Sequence, residues 1–568
     1  MSYIIIFFNL ISFIFGIIYL TCSLFGISYI FVIWDIFGVI ITISFFFNLI
    51  FIFYNESKSN KHTKLGNKLN LINYGYLIFF LIGMTMIPIG NFLISNNYSN
   101  TLLDNFASYA MVFCSFFGIQ LIGILIAYLN IKSANNPEVW DLTKRTLSLS
   151  RRKLLIRKIL KIYLKIMCYS TLLLGVHFTL ILFFGVYLVY FISIIYGLFA
   201  PMWSVFISFI ILATTILLLK LKNKKKNLIG YYSVGIIGFC LSIILFSPIF
   251  IAPFSISRAE INFSSAFGND WRNKIDPIAQ TYFLQTPFSM PGYYLGINPE
   301  DCIIKENILF YTNDTEGIHL FFDAYMPSNK GISLPGQNST LIRIHGGGWV
   351  LGDKGMMNMM QMNKYFAAQG YVVFDIQYGL LEYGIPSFMA PENVVGNFNL
   401  NDMMRHIGNF TRYISSHASE YGANLNSVFV SGGSAGGQLT CATAFGIHSG
   451  YYTHIFGDTL TIKGVIPFYP AIVRTLVQGD INFINPQNLI NGSSPPCLIY
   501  QGTQDNLVHP SLSQLIKDNY TSHGNNKCAI IWSDLAGHAS DIYFSGYYNQ
   551  IFLYYMERFM YLCVNDFI

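Results

Sequence analysis

The chain has 568 residues, too many for one compact domain, so at least two are expected. Charged residues make up 11% of it, against about 25% in an ordinary soluble protein, aromatics reach 17%, and the mean hydropathy is +0.47. That composition excludes a wholly soluble chain, and the net charge of +6 comes without any zinc-finger, helix-turn-helix or RNA-binding signature, which argues against a nucleic-acid partner.

Residues 1–252 hold seven apolar stretches, near 4–24, 30–53, 72–94, 107–130, 170–194, 201–220 and 229–252. Each is long enough to cross a bilayer, which takes about 20 residues. The start, "MSYIII", lacks a basic region and does not resemble a cleaved signal peptide. Loop 54–71 carries Lys58, Lys61, Lys64 and Lys68, segment 131–167 carries ten Lys and Arg, and a third basic loop reads "KLKNKKKN". Loops 95–106 and 196–200 have none. Basic loops stay cytoplasmic, so the alternation places the N-terminus inside and everything after 252 in the lumen or outside the cell. Six N-x-[ST] sequons, at Asn262, Asn313, Asn338, Asn409, Asn491 and Asn519, agree with that side. Asp35, Gln120 and His177 are polar groups at membrane depth. Asp35 is read as lying near the outer interface, and the other two as bonding across helices.

Residues 253–302 form an aromatic linker or lid, with "YFLQTPFSMPGYYLG" at its centre. From 303 onward short β-rich runs alternate with helical ones, the pattern of a mostly parallel sheet. Strands are expected at "NILFYT", "IHLFFDAYMP", "STLIRIH", "YVVFDIQY", "NSVFVSG", "IKGVIPFYP", "PCLIYQG" and "CAIIWSD", with helices near 354–368, 400–420, 435–447, 511–522 and 546–562. Nine cysteines occur without a CxxC pair, so no zinc site is expected. At most two disulfides fit the five beyond residue 300, and Cys441 and Cys497 read as buried thiols.

Two motifs carry chemistry. "VFVSGGSAGGQLT" puts Gly432-Gly433-Ser434-Ala435-Gly436, a G-x-S-x-G, between a strand and a helix, where a serine hydroxyl is presented on a tight turn above the sheet. About ninety residues upstream, His345-Gly346-Gly347-Gly348-Trp349 frees main-chain N–H groups to meet the oxyanion of a tetrahedral intermediate. Gly347, Gly348 and Ala435 are the expected donors, with His345, Gly346, Gly432 and Gly436 as supports. A serine needs a histidine base oriented by a carboxylate, and the chain order here is Ser, acid, His. Asp505 in "QGTQDNLV" and His538 in "DLAGHAS" follow the last two strands. His509 and His523 compete as base and read as solvated; Asp534 competes as acid.

"FDAYMP", "IHGGGWVLGDK", "FDIQYG", "GGSAGG", "QGTQD" and "AGHAS", in that order, resemble the hormone-sensitive-lipase and carboxylesterase branch of the α/β-hydrolases. The nearest flavours are the bacterial feruloyl-esterase-like (BD-FAE) enzymes and prenylcysteine methylesterases. The resemblance covers about 303–563 and implies an α/β-hydrolase of about eight strands with helices on both faces, cleaving carboxylic esters with no metal or organic cofactor. The implied site residues are Gly347, Gly348, Ser434, Ala435, Asp505 and His538. Two positions depart from the branch: Gly433 stands where an acidic residue is frequent, and Gly379 where Arg is usual. The expectation is therefore a multi-pass membrane domain (1–252) and a hydrolase domain (303–568) acting on an ester, including a lipid or acylated one, beside the lipid bilayer. A receptor or transporter bearing a hydrolase-like recognition domain, and an acyltransferase using the same triad, are the alternatives.

Overall fold

The computed structural model describes residues 1–25, 31–58, 64–99, 101, 103–135, 151–185, 197–222, 224, 225, 227–329, 331–355, 359–473 and 475–568. Two compact units emerge. A helical unit comprises Met1–Leu93, Asn105–Phe250 and Ser289–Asn298; a sheet unit comprises Ile94–Asp104, Ile251–Phe288 and Pro299–Ile568.

Seven helices among the described residues are long and apolar enough to cross a membrane: α1 (Ser2–Phe25), α2 (Phe31–Lys58), α3 (Lys64–Ser95), α4 (Phe106–Asn135), α5 (Arg151–Phe184), α6 (Ser204–Leu221) and α7 (Leu228–Phe267). α6 is buried along most of its length, and Phe209 on it meets Phe45 and Phe80 edge to face. Polar side chains inside the unit bond to one another. Asn9 and Asn48 exchange two bonds of 2.8 Å, and Gln120 Nε2 donates to Ser44 Oγ at 3.1 Å. His177 departs from expectation, because its buried Nδ1 has no partner among the described residues.

Several boundaries differ from the sequence reading. α5 begins at Arg151, so "SRRKLLIRKILK" is largely helix rather than loop, because Lys, Arg, Leu and Ile all favour helix outside lipid as well. The rest of the expected span, 186–194, lies outside the described residues. α7 runs on to Phe267, and at 1.5 Å per residue its 40 residues make about 60 Å, twice a hydrocarbon core. Its last turns, from Ile251, belong to the sheet unit. Segment 253–302 is thus divided. Within the helical unit, Tyr293 and Tyr294 are fully buried, Tyr293 Oη donates to Met202 O, and Asn91 Nδ2 donates to Tyr294 O.

The sheet unit contains β1 (Cys302–Asn313), β2 (Ile318–Pro327), β3 (Ser339–Ile344), β4 (Val372–Ile376), β5 (Asn424–Gly433), β6 (Ile462–Phe468), β7 (Cys497–Gly502) and β8 (Cys528–Ser533). They lie in the order β1-β2-β4-β3-β5-β6-β7-β8, antiparallel at β1–β2 and β2–β4 and parallel elsewhere. This is the α/β-hydrolase fold. β3, β4 and β7 are buried at every residue, as parallel strands covered on both faces must be. The helices are α8 (Met360–Ala368), α9 (Leu400–Tyr421), α10 (Ala435–Ser449), α11 (Ser511–Ser522) and α12 (Tyr547–Val564). α8 starts six residues after the expected 354, because Lys354 and Gly355 are held in a turn by other contacts. An Asn399/Asp402 capping box opens α9, and Gly422 at φ 67° closes it. All nine cysteines are free thiols, Cys441 and Cys497 among the buried ones.

Candidate active site

Parallel strands end at one edge of the sheet, and each crossover delivers its following turn there. Ser434 stands between β5 and α10 at φ 58°, ψ −120°, a conformation that non-glycine residues adopt only when held in it. Close packing does the holding. A Cβ at Gly432 would lie 2.2 Å from Ile344 O, and one at Gly436 would lie 2.3 Å from the same carbonyl. The amide of Ser434 also donates to Phe468 O.

His538 Nε2 lies 3.0 Å from Ser434 Oγ, and its Nδ1 lies 2.8 Å from Asp505 Oδ2. Asp505 is fully buried and its Oδ1 accepts from the amides of Leu507 and Val508. With three donors on its carboxylate, Asp505 fixes the ring so that Nδ1 donates and Nε2 is left to accept from the serine hydroxyl.

The glycine run follows β3. Gly347 takes φ 121°, and a Cβ there would fall 1.9 Å from Leu351 O. Gly348 takes φ 61°. Among the described residues no backbone carbonyl accepts a hydrogen bond from the amides of Gly347, Gly348 or Ala435. Ala435 opens α10, so its N–H also carries the positive end of that helix. His345 is buried and stacked on Tyr378 at 4.4 Å, and burial pushes its imidazole below the usual range, so it remains neutral. Gly346 approaches Gly433 O so closely that a Cβ would sit 2.7 Å away.

The competing residues go elsewhere. Both oxygens of Asp534 are taken, by Arg258 Nη2 at 2.7 Å and Ser255 Oγ at 2.8 Å, on the last turns of α7. His509 and His523 are exposed and bond to Ser511 Oγ and Asn519 O. Gly379 and Gly433 also acquire reasons. A Cβ at 379 would lie 2.6 Å from His406 Cε1, whose ring Nδ1 accepts from the Gly379 amide, and one at 433 would lie 2.9 Å from Tyr469 Oη.

Tyr469 and Asp541 belong to this site and the motifs did not point to them. The Tyr469 ring lies 4.6 Å from that of His538. Asp541, three residues past His538, is hydrogen-bonded to Tyr469, and burial raises its carboxyl to about 6. Arg343, buried in β3 and donating to Ser431 Oγ, adds a positive charge nearby. Its signal was a lone arginine in the apolar strand "STLIRIH".

Residues 322–472 match the BD-FAE family model. A probable isoprenylcysteine alpha-carbonyl methylesterase of Arabidopsis thaliana is 18% identical over 47% of this chain and 57% of its own. A probable carboxylic ester hydrolase of Mycobacterium tuberculosis is 23% identical over 31% of this chain and 43% of its own. The chain therefore spans about half the length of these curated relatives. Among solved structures, esterase 2 of Thermogutta terrifontis is 21% identical, with a TM-score of 0.35 over 50% of this chain and 99% of that one. Esterase B of Lactobacillus rhamnosis is 20% identical, with a TM-score of 0.34 over 43% of this chain and 81% of that one.

Proposed function

We propose that this chain is a membrane-anchored serine hydrolase of carboxylic esters. The observation that carries the reading is the relay from Asp505 through His538 to Ser434 Oγ, with distances of 2.8 and 3.0 Å. Ser434 Oγ attacks the ester carbonyl while His538 Nε2 takes its proton. The carbonyl oxygen becomes an oxyanion and accepts from the amides of Gly347, Gly348 and Ala435. As the tetrahedral centre collapses, Nε2 returns the proton to the departing alkoxide and an acyl-enzyme remains. Water then attacks that ester with His538 again as base, releasing the acid and restoring Ser434. The substrate class is a carboxylic ester, and the anchor favours a lipid or acylated one.

The hydrolase unit acts on the lumenal or extracellular side. Support comes from the loop charges and from Ile94–Asp104: this connection between α3 and α4 has no Lys or Arg and belongs to the compact unit that holds the triad. Four sequons, at Asn313, Asn338, Asn409 and Asn491, remain as glycan sites on that side, whereas Asn262 Nδ2 and Asn519 Nδ2 are committed to the carbonyls of Ile530 and Leu515.

Fluorophosphonate labelling of membranes carrying the full chain, followed by an ester panel of increasing acyl length, tests the reading. Wild type should be labelled and Ser434→Ala should not, with hydrolysis down to the roughly 10³–10⁴-fold enhancement that binding and the oxyanion hole alone supply. Full labelling of Ser434→Ala would place the nucleophile elsewhere. Protease added to sealed microsomes should spare the hydrolase unit; its digestion without detergent would reverse the orientation.

A further inference from the structure

The run that bears Gly347 and Gly348 is costly to hold in place. Gly347, Gly348, Trp349, Gly352 and Gly355 all take positive φ, and Trp349 is not a glycine. Its upstream end is the last residue of β3, while its downstream end is anchored by side chains. Lys354 Nζ forms a 2.8 Å ion pair with Asp323 Oδ1, and the amide of Gly355 donates to Asp375 Oδ2 at 2.8 Å. Asp323 and Asp375 face each other across β2 and β4, and both are fully buried.

Two neighbouring buried carboxylates hold their places only if donors surround them. Asp375 also accepts from Asn363 Nδ2, and Asp323 Oδ1 accepts from the amide of Asn307. Asp323 Oδ2 is met by Tyr98 Oη at 2.7 Å. Tyr98 lies on the connection between α3 and α4, more than two hundred residues away in sequence. Its Oη would lie 3.3 Å from a Cβ at Gly355, so it packs against the anchored end itself. Beside it, Lys364 Nζ on α8 donates to Asn97 O at 2.6 Å, a second tie to the same connection. Burial and the neighbouring carboxylates push the Tyr98 phenol far above its ordinary range, so it is always a donor.

We propose that Tyr98 is a positioning residue for the oxyanion loop: its hydroxyl fixes Asp323, Asp323 fixes Lys354, and Lys354 fixes the run that aims the amides of Gly347 and Gly348. The inference rests on the ester-hydrolase reading. It makes the α3–α4 connection part of the catalytic apparatus, so that the hydrolase needs its membrane half for more than attachment.

The test uses the full chain in detergent, with fluorophosphonate titration counting competent sites. For Tyr98→Phe, kcat per titrated site on p-nitrophenyl acetate should fall about tenfold, a part of the 10²–10³-fold that loss of a whole oxyanion donor costs. KM should stay within about twofold, and affinity for a trifluoromethyl ketone, which mimics the tetrahedral centre, should fall in step with kcat. Because activity is counted per site, a lower yield of folded variant leaves the comparison intact. Wild-type kcat and ketone affinity per site would overturn the proposal. So would a variant giving no titratable sites, which would assign Tyr98 to folding alone. Failure of the parent reading looks different: wild type would take no label and cleave no ester, overturning both.

Discussion

In the helical unit Asn9 pairs with Asn48 and Gln120 with Ser44, amides and hydroxyls without formal charge. The sheet unit buries ionic pairs as well, Asp323 with Lys354 and Glu557 with Arg558, beside neutral ones such as Ser513 with Gln501. The difference follows from what surrounds each unit. A charge facing hydrocarbon has no water to fall back on, and neutral amides bring helices together at less risk. In the sheet unit peptide N–H groups and partner charges are dense enough to replace hydration. Glu557 shows the scale, since Tyr365, Gln369, Arg558 and the Leu284 amide all donate to it and burial still lifts its carboxyl to about 7. Among the described residues the buried ion pairs lie in the sheet unit, while the helical unit buries Lys220 near the end of α6.

The sharpest way to break that comparison is at Asp505. Asp505→Asn should lower kcat by up to about 10⁴-fold, near 5 kcal/mol of barrier, because the amide favours the wrong imidazole tautomer. Asp534→Asn should change kcat by no more than a few-fold, since Asp534 is held by Arg258 and Ser255. Steady-state kinetics on a short-chain ester decides between them, and the reverse pattern would transfer the acid role to Asp534.

Next in size is Lys354→Met, which leaves Asp323 charged and without its ion-pair partner in the core. Breaking such a pair typically costs about 3–5 kcal/mol, read as a large loss of thermal stability in detergent.

A pH titration probes the same unit through His406, whose imidazole is pushed down to about 4, first by burial and then by the Arg405 charge. Its Nδ1 accepts from the Gly379 amide and must be unprotonated to do so. Because the folded value lies below the ordinary 6.5, the unfolded chain binds the proton first. Stability should therefore be lost as pH falls from 6.5 to 4, by up to about 3 kcal/mol. His406→Gln should flatten that part of the curve, and an unchanged slope would show that another group carries it.

The smallest effect is expected in the helical unit. Asn48→Ala should cost about 0.6 kcal/mol and no more than about 1.7, the range measured for bonds between membrane helices. A loss as large as that of Lys354→Met would erase the distinction between the units.

Much of the sheet unit was legible before its structure. "VFVSGGSAGG" demanded a strand, a tight turn and a helix, and those are β5, Ser434 and α10. All eight strands lie where the β-rich runs placed them, since an apolar run bounded by turn residues has few other ways to be buried. Boundaries were harder where a helix outlasts its apolar stretch. α5 and α7 extend through polar sequence because backbone hydrogen bonding does not stop where hydropathy does. Tyr469, Asp541 and Tyr98 escaped because nothing in their local sequence distinguishes them from other tyrosines and aspartates.

By itself, the sequence determined which chemistry-bearing residue types sit at which turns, how many apolar helices precede them, and that Ser434, Asp505 and His538 follow strands in the order this fold uses. Those are local properties, set by composition and spacing along the chain. Only the tertiary structure decided which carboxylate reaches His538, why Gly379 and Gly433 are glycines, and that Tyr98 closes on Asp323. A hydrogen bond acts over about 3 Å, and the residues that come that close here are separated by 27 to 225 positions in the chain. Such proximity follows from how β2, β4 and their neighbours stack, and no short window of sequence contains it.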